Sequence, residues 1–414
     1  MFRISRLILA RKRETLSLLV FVAVYYFAFY RTVPAYFTKA ANSTDLFQSE
    51  LDEDVWGNID PIKTKVIDMR TSFNYKKAPS MLNASVNLLE PRSELEELDL
   101  LSNLSSKTKE FKEYPGYFSN FTYFYLNSSR VSDIPSQYSI PGTSVCSGDV
   151  DLLVIVISVI QHSDWRLLIR QTWASPIYDK SWSQKDLVKL VFFFGNEGFT
   201  DVENLALFNE SKLYGDIVVA SFKDSYGNLS LKLATALTWA SKHCPHAKFV
   251  AKVDMDVFLH IDVLLKLLHS VLLNYTNFII GYKHTSQKPA VLRAGKWAVP
   301  RDVYPYSYFP NYIFGPSYVL TGSVVHKMAA SFPFVHIVPN EDAFITGIMA
   351  VRLNITRLGN TAFAYLLRRC TICDLVFRKY LGALYRQNIL KQIWENFTTE
   401  NCSSVEINYQ YVLN

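Results

Sequence analysis

Residues 248–256 read K-F-V-A-K-V-D-M-D, and this stretch decides the fold. Lys248 to Val253 is rich in β-branched and aromatic residues, the composition of a buried strand. It ends in two aspartates one residue apart, Asp254 and Asp256. Where a strand frays into a turn, carboxylates at i and i+2 point to one side and offer two oxygen ligands to a hard cation. In an open α/β sheet the carboxyl ends of the strands are where ligands sit.

Two other D-x-D pairs lack this context. Asp52–Asp54 lies in an acidic, loop-like stretch with no strand before it, and Asp149–Asp151 precedes the apolar run 150–160 rather than following it. Asp254–Asp256 has a strand in front and a helix-like segment, 261–270, behind. The reading is a divalent metal that holds the diphosphate of a nucleotide-sugar; a solvated turn or helix cap recruits the same residues.

Working outward, the chain from Cys146 onward alternates apolar strands and helical patterns. Strands are expected at 150–160, 187–195 and 216–221, with helices at 166–173, 202–213 and 228–244, where Asn228 is available as an N-cap. Strand–helix alternation at this spacing predicts an α/β fold, a doubly wound mixed sheet with flanking helices. Residues 32–145 lack periodic apolar pattern, carry prolines at 34, 61, 79, 91, 115, 135 and 141, and read as a stem.

The sixteen residues Thr15–Tyr30 carry no charge, and at about 1.5 Å per residue they span roughly 24 Å, enough for a thin bilayer. Basic residues precede them and few follow, so the rest of the chain is expected in the lumen. The expected organisation is a cytoplasmic tail 1–14, a signal-anchor 15–31, a luminal stem 32–145 and a catalytic head 146–414. A cleaved signal peptide is the rival reading, but no small-residue cleavage site follows. Eleven N-x-S/T sequons, Asn42 to Asn401, agree with a luminal address. Cys146, Cys244, Cys370, Cys373 and Cys402 allow two disulfides with pairing open. The net charge of +6 is concentrated before residue 15, which excludes a nucleic-acid footprint. An apolar content of 49% is ample for a large core.

The head resembles the β-1,3-galactosyltransferase and β-1,3-N-acetylglucosaminyltransferase family of Golgi type II enzymes, glycosyltransferase family 31. The likeness runs in order through Arg166, Arg170, Thr172 and Trp173; Val191 to Gly195; Asp224, Tyr226, Asn228 and Lys232; Trp239 and Cys244; Asp254 and Asp256; Lys296 and Trp297; Gly315 and Tyr318; and Glu341, Asp342 and Gly347. It covers about 150 to 360 and implies a GT-A-like fold and an inverting β-1,3-hexosyltransferase. Such an enzyme moves galactose or an N-acetylhexosamine from a UDP-sugar to a glycan acceptor on glycoprotein or glycolipid, in the Golgi membrane. The alternative is a catalytically silent luminal chaperone or partner of an active transferase.

The resemblance implies Asp342 as the base, with Glu341 beside it, although the pair also reads as a helix N-terminus after a β-like 335–339. It implies Mn²⁺ on Asp254 and Asp256, bridging the donor's phosphates. Arg166, Arg170 and Lys232 are candidate donor-site cations, against a solvated helix face. Asp224 and Tyr226 are candidate nucleotide or sugar contacts. Trp297 is expected at the donor, and both Trp297 and Tyr318 suit a sugar face or the core. The chain departs from the family in the run Phe314-Gly315-Pro316-Ser317. It also places Asp374 where members often carry a histidine as third metal ligand, and an aspartate suits Mn²⁺ as a hard oxygen donor.

Overall fold

The computed structural model describes residues 102–103, 105–111, 126–179, 182–183, 187–284, 286, 288–363, 380–384, 390–391 and 393–395. The expected tail and anchor, Asp52–Asp54, Asp374, Cys370, Cys373 and Cys402 lie outside these residues. Among the described residues no helix is long and apolar enough to cross a membrane.

The six residues of β3 (Leu152–Ile157) are all buried. Leu152, Val154 and Val156 pack into one apolar cluster, and Leu153, Ile155 and Ile157 into another. This is the two-faced burial of a central parallel strand. On one flank β3 pairs with β4 (Val188–Gly195), which pairs with β5 (Ile217–Ala220); on the other it pairs with β6 (Phe249–Asp254), all parallel. The carboxyl ends of these strands therefore lie side by side, with Ile157 opposite Asp254 and Gly195 opposite Ala220.

Helices cross between them. Helix α1 (Ser163–Gln171) follows β3, α2 (Asp201–Tyr214) links β4 to β5, and α3 (Leu229–His243) links β5 to β6. Thr200 and Glu203 close a capping box at the start of α2, and Gly215, at φ 72°, ends it in the left-handed conformation. The start of α3 differs from expectation. Asn228 holds the cap position, but its side chain donates 2.9 Å to the Lys223 carbonyl instead of capping.

The sheet then turns mixed. β9 (Ile313–Thr321) runs antiparallel between β6 and β8 (Phe278–Lys283), and β10 (Thr356–Asn360) pairs parallel with β8. The nine strands are completed by β1 (Thr108–Phe111) on β10 and β2 (Tyr138–Ile140) on β5, both antiparallel. The sheet thus draws its two edge strands from the stretch read as stem. A short β7 (Val257–Leu259) pairs with β11 (Gly382–Leu384) as a separate ribbon, and α4 (Ile261–Leu272) buries an apolar face after it.

Two features bear on the site. β9 bulges: Ile313 and Tyr318 stand opposite Lys283 and Gly281 of β8, so residues 314–317 leave the ladder with β8. Residues expected as β-like at 335–339 form no strand; the chain instead enters helix 341–352 (α5), whose middle, Ala343–Met349, is wound as a π-helix. Such π-turns are frequent at functional sites. Cys146 and Cys244 form a disulfide that joins the approach to β3 to the end of α3.

Candidate active site

Asp254 closes β6 at the carboxyl edge of the sheet, with Asp256 in the turn that follows. Both are partly buried, and the two carboxylates crowd each other. Burial and then the charge of Asp254 push Asp256 up to about 7. Asp151, of the rejected pair, lies at the opposite end of the sheet and binds Lys248 and His269.

Lys252, two residues before Asp254, is 1% exposed. Its ammonium reaches Asp254 Oδ1 at 2.7 Å, Glu341 Oε2 at 3.2 Å and the Gly315 carbonyl at 2.6 Å. Burial disfavours this charge, but the carboxylates of Asp254 and Glu341 prevail and hold the lysine above its ordinary value. Sequence reasoning passed over Lys252. Its signal was a charge in the middle of an otherwise apolar strand.

Glu341 and Asp342 begin α5, as the helix-start reading expects. Asn340 Oδ1 accepts from the Ala343 N–H at 3.2 Å, and Asp342 Oδ1 from the same N–H at 2.8 Å. Thr346 ties the π-turn to β9, accepting from Ile313 N–H at 2.8 Å and donating to the Asp342 carbonyl at 2.7 Å. Glu341 points inward, where Tyr318 donates to its Oε1 at 2.5 Å, and burial raises its carboxyl. Asp342 accepts from the Gly315 N–H at 3.1 Å, and burial and then Glu341 raise it to about 7. A carboxylate poised there is suited to general base work at neutral pH. Tyr318 is fully buried, so it belongs to the core and not to a sugar-stacking face.

Tyr226 and Trp297 meet: Trp297 Nε1 donates to the Tyr226 hydroxyl at 2.6 Å, and the Lys296 ammonium lies 4.7 Å from the Tyr226 ring centre. Arg293 holds the loop that carries Trp297 through the carbonyls of Val299, Tyr304 and Tyr306. Burial raises the Tyr226 phenol to about 12; the Trp297 hydrogen bond opposes this, and the charges of Asp342, Asp254 and Glu341 add to it. Asp224 lies one step inward, with Oδ2 accepting from the Gly195 N–H at 3.0 Å and from Lys232 at 2.6 Å.

The three expected donor-site cations are placed otherwise. Lys232 is buried and bound to Asp224 and the Ser158 carbonyl, so it positions Asp224. Arg166 makes a bidentate pair with Glu210 at 2.8 and 2.6 Å and also holds the Val159 carbonyl. Arg170 forks onto Asp216 at 2.7 and 2.8 Å and stacks over Phe192 and Tyr214. A guanidinium turned into the core and committed to carboxylates does not face a phosphate. The expected reading failed because the partners lie on α2 and beside β5, far away in sequence.

Among the described residues no group of three or more His, Cys, Asp or Glu forms a metal cage. Two crowded carboxylates at a strand end nevertheless fit a hard divalent cation that completes its coordination with substrate phosphates. At the carboxyl edge of the mixed α/β sheet, Lys252 and Gly315 thus join Asp254 to Glu341 and Asp342.

Residues 164–361 match the family described as Galactosyltransferase. The chain is 28% identical over 273 residues to a lactosylceramide 1,3-N-acetyl-beta-D-glucosaminyltransferase of Homo sapiens, covering 65% of this chain and 72% of that one. It is 32% identical over 235 residues to UDP-GlcNAc:betaGal beta-1,3-N-acetylglucosaminyltransferase 9 of Homo sapiens, covering 54% and 57%. To beta-1,3-galactosyltransferase 1 of Mus musculus it is 28% identical over 256 residues, covering 61% and 76%. The protein is a UDP-sugar-dependent glycosyltransferase of the hexosyl-transferring class. Residues 164–361 of its head are thus similar to a galactosyltransferase family model and to curated β-1,3-galactosyltransferases and β-1,3-N-acetylglucosaminyltransferases.

Proposed function

We propose that the chain is an inverting β-1,3-hexosyltransferase that moves galactose or an N-acetylhexosamine from a UDP-sugar to a glycan acceptor. The observation that carries this is the placement of Asp342. It is a carboxyl raised to about 7, bound to the same glycine whose carbonyl binds Lys252, which in turn holds Asp254. Asp342 takes the proton of the acceptor hydroxyl while that oxygen attacks the anomeric carbon from the face opposite UDP. The bond to the UDP oxygen breaks, the configuration inverts, and the proton stays on Asp342.

Asp254 and Asp256 are the residues to hold Mn²⁺, which when bound offsets the negative charge of the donor diphosphate and of departing UDP. Asp374 is a further candidate ligand. Tyr226, Trp297 and Asp224 line the donor side. The uncharged 15–30 stretch and the sequons support a single-pass type II protein of the Golgi membrane.

The test uses the full chain, because the sheet includes β1 and β2. UDP release is followed across a panel of UDP-sugars with galactoside and N-acetylhexosaminide acceptors, with Mn²⁺ or EDTA. Metal-dependent release with one donor, strongly slowed in Asp342→Asn, supports the reading and names the donor. A folded chain that binds neither UDP nor Mn²⁺ overturns it in favour of a silent partner protein.

A further inference from the structure

We propose that Lys252 is a positioning residue: a buried cationic brace that fixes the acceptor-side acids, Glu341 and Asp342, relative to the donor-side Asp254. The proposal rests on the transferase reading above and adds a residue to it.

Three observations carry it. The Lys252 ammonium has three N–H donors, and three acceptors on three different elements surround it: Asp254 Oδ1 on β6, the Gly315 carbonyl in the β9 bulge, and Glu341 Oε2 at the start of α5. Second, the ladder between β6 and β9 ends at the pair Val253–Ser317. Beyond it Gly315 has left the register, and Lys252 supplies its tie to β6. Third, the grip continues to the base, because the Gly315 N–H donates to Asp342 Oδ2. The second oxygen of Glu341 is fixed by Tyr318, also of β9. At 1% exposure and with its three donors engaged, Lys252 is not placed to touch substrate. It acts through the residues it holds.

The experiment compares Lys252→Met, Lys252→Arg and Lys252→Met/Glu341→Gln with the wild-type full chain. A shift of about 1 Å in a reacting group costs on the order of 100-fold in rate. Lys252→Met should therefore lose about 100-fold in kcat, with donor KM and Mn²⁺–UDP affinity within about threefold. Lys252→Arg, which keeps the cation, should recover part of that loss. Adding Glu341→Gln to Lys252→Met should cost little more, since the two residues act as one unit. Backbone hydrogen exchange across 313–318 should accelerate in Lys252→Met. A rise in donor KM with kcat intact overturns the proposal, and so do losses that multiply in the double variant. If Lys252→Met does not fold, the double variant removes a buried cation and a buried anion together and is measured instead; wild-type kcat in it overturns the brace. Absence of UDP release from the wild type overturns the transferase reading. The brace is then judged by exchange, and protection at 313–318 equal to wild type overturns it.

Discussion

The backbone N–H of Gly315 lies 3.1 Å from Oδ2 of Asp342, so the acid expected to accept the substrate proton is aimed by main chain from a strand bulge. A hydrogen bond to the ionised form lowers a carboxyl, yet burial and the neighbouring Glu341 outweigh it and leave Asp342 near 7. A base with a raised pKa works above that value and is blocked by its own proton below it. The rate kcat/KM should fall about tenfold per pH unit below roughly 7 and level off above it. Glu341→Gln removes the like charge and should move the inflection to lower pH, which a pH–rate profile reads directly.

Asp342→Asn keeps the shape and removes the base. Its kcat should fall by about 100- to 10,000-fold, while calorimetric UDP affinity stays near wild type. Equal loss of binding would place Asp342 on the donor side instead.

Asp256 and Asp342 are both raised in the folded chain from an ordinary 3.8 to about 7. Between those values the folded state holds protons that the unfolded state has released, so stability falls as pH rises through this window. Without metal, the melting temperature should fall between pH 5 and pH 7.5 more steeply than in Asp256→Asn. Added Mn²⁺ should raise it most at the upper end, and Asp254→Asn should abolish that rise.

Arg170→Met leaves Asp216 buried without its fork. It should cost about 3–5 kcal/mol in urea unfolding, with donor KM unchanged. A donor-contacting arginine would show the reverse: a raised KM and an unchanged midpoint.

The disulfide between Cys146 and Cys244 closes a span of 98 residues. Cys146→Ser with Cys244→Ser should lose about 2–5 kcal/mol, read by the same urea titration. The loss should match that of the reduced wild-type protein.

Much of the centre of this fold was legible in order of sequence. Leu152–Ile157 announces itself by an unbroken apolar run, and Val188–Gly195 and Phe249–Asp254 by runs broken inside only by Lys189 and Lys252, because a strand covered on both faces admits little else. The two aspartates after β6 were legible for the same reason, since carboxylates cannot follow such a run without leaving the core. Charges inside helices were not. Arg166, Arg170 and Lys232 look solvent-facing until Glu210, Asp216 and Asp224 arrive beside them through the fold. Nor was the β9 bulge readable, because Gly315-Pro316-Ser317 signals a break without stating which neighbour the freed backbone will serve. The edge strands β1 and β2 were hidden by their brevity, at four and three residues.

The π-winding of Ala343–Met349 gives the molecule an adjustable dial. A π-turn carries one residue more than the α-turn it replaces, so the same residues rewound as ordinary helix, with none removed, would put their flank one residue out of phase. With 3.6 residues per turn, everything before the segment would then swing by about 100° around the helix axis. Glu341 would leave Lys252 and Asp342 would leave Gly315, although no side chain in the site had been altered. Here the pitch of a helix, and not only the identity of an acid, decides which way a proton can go.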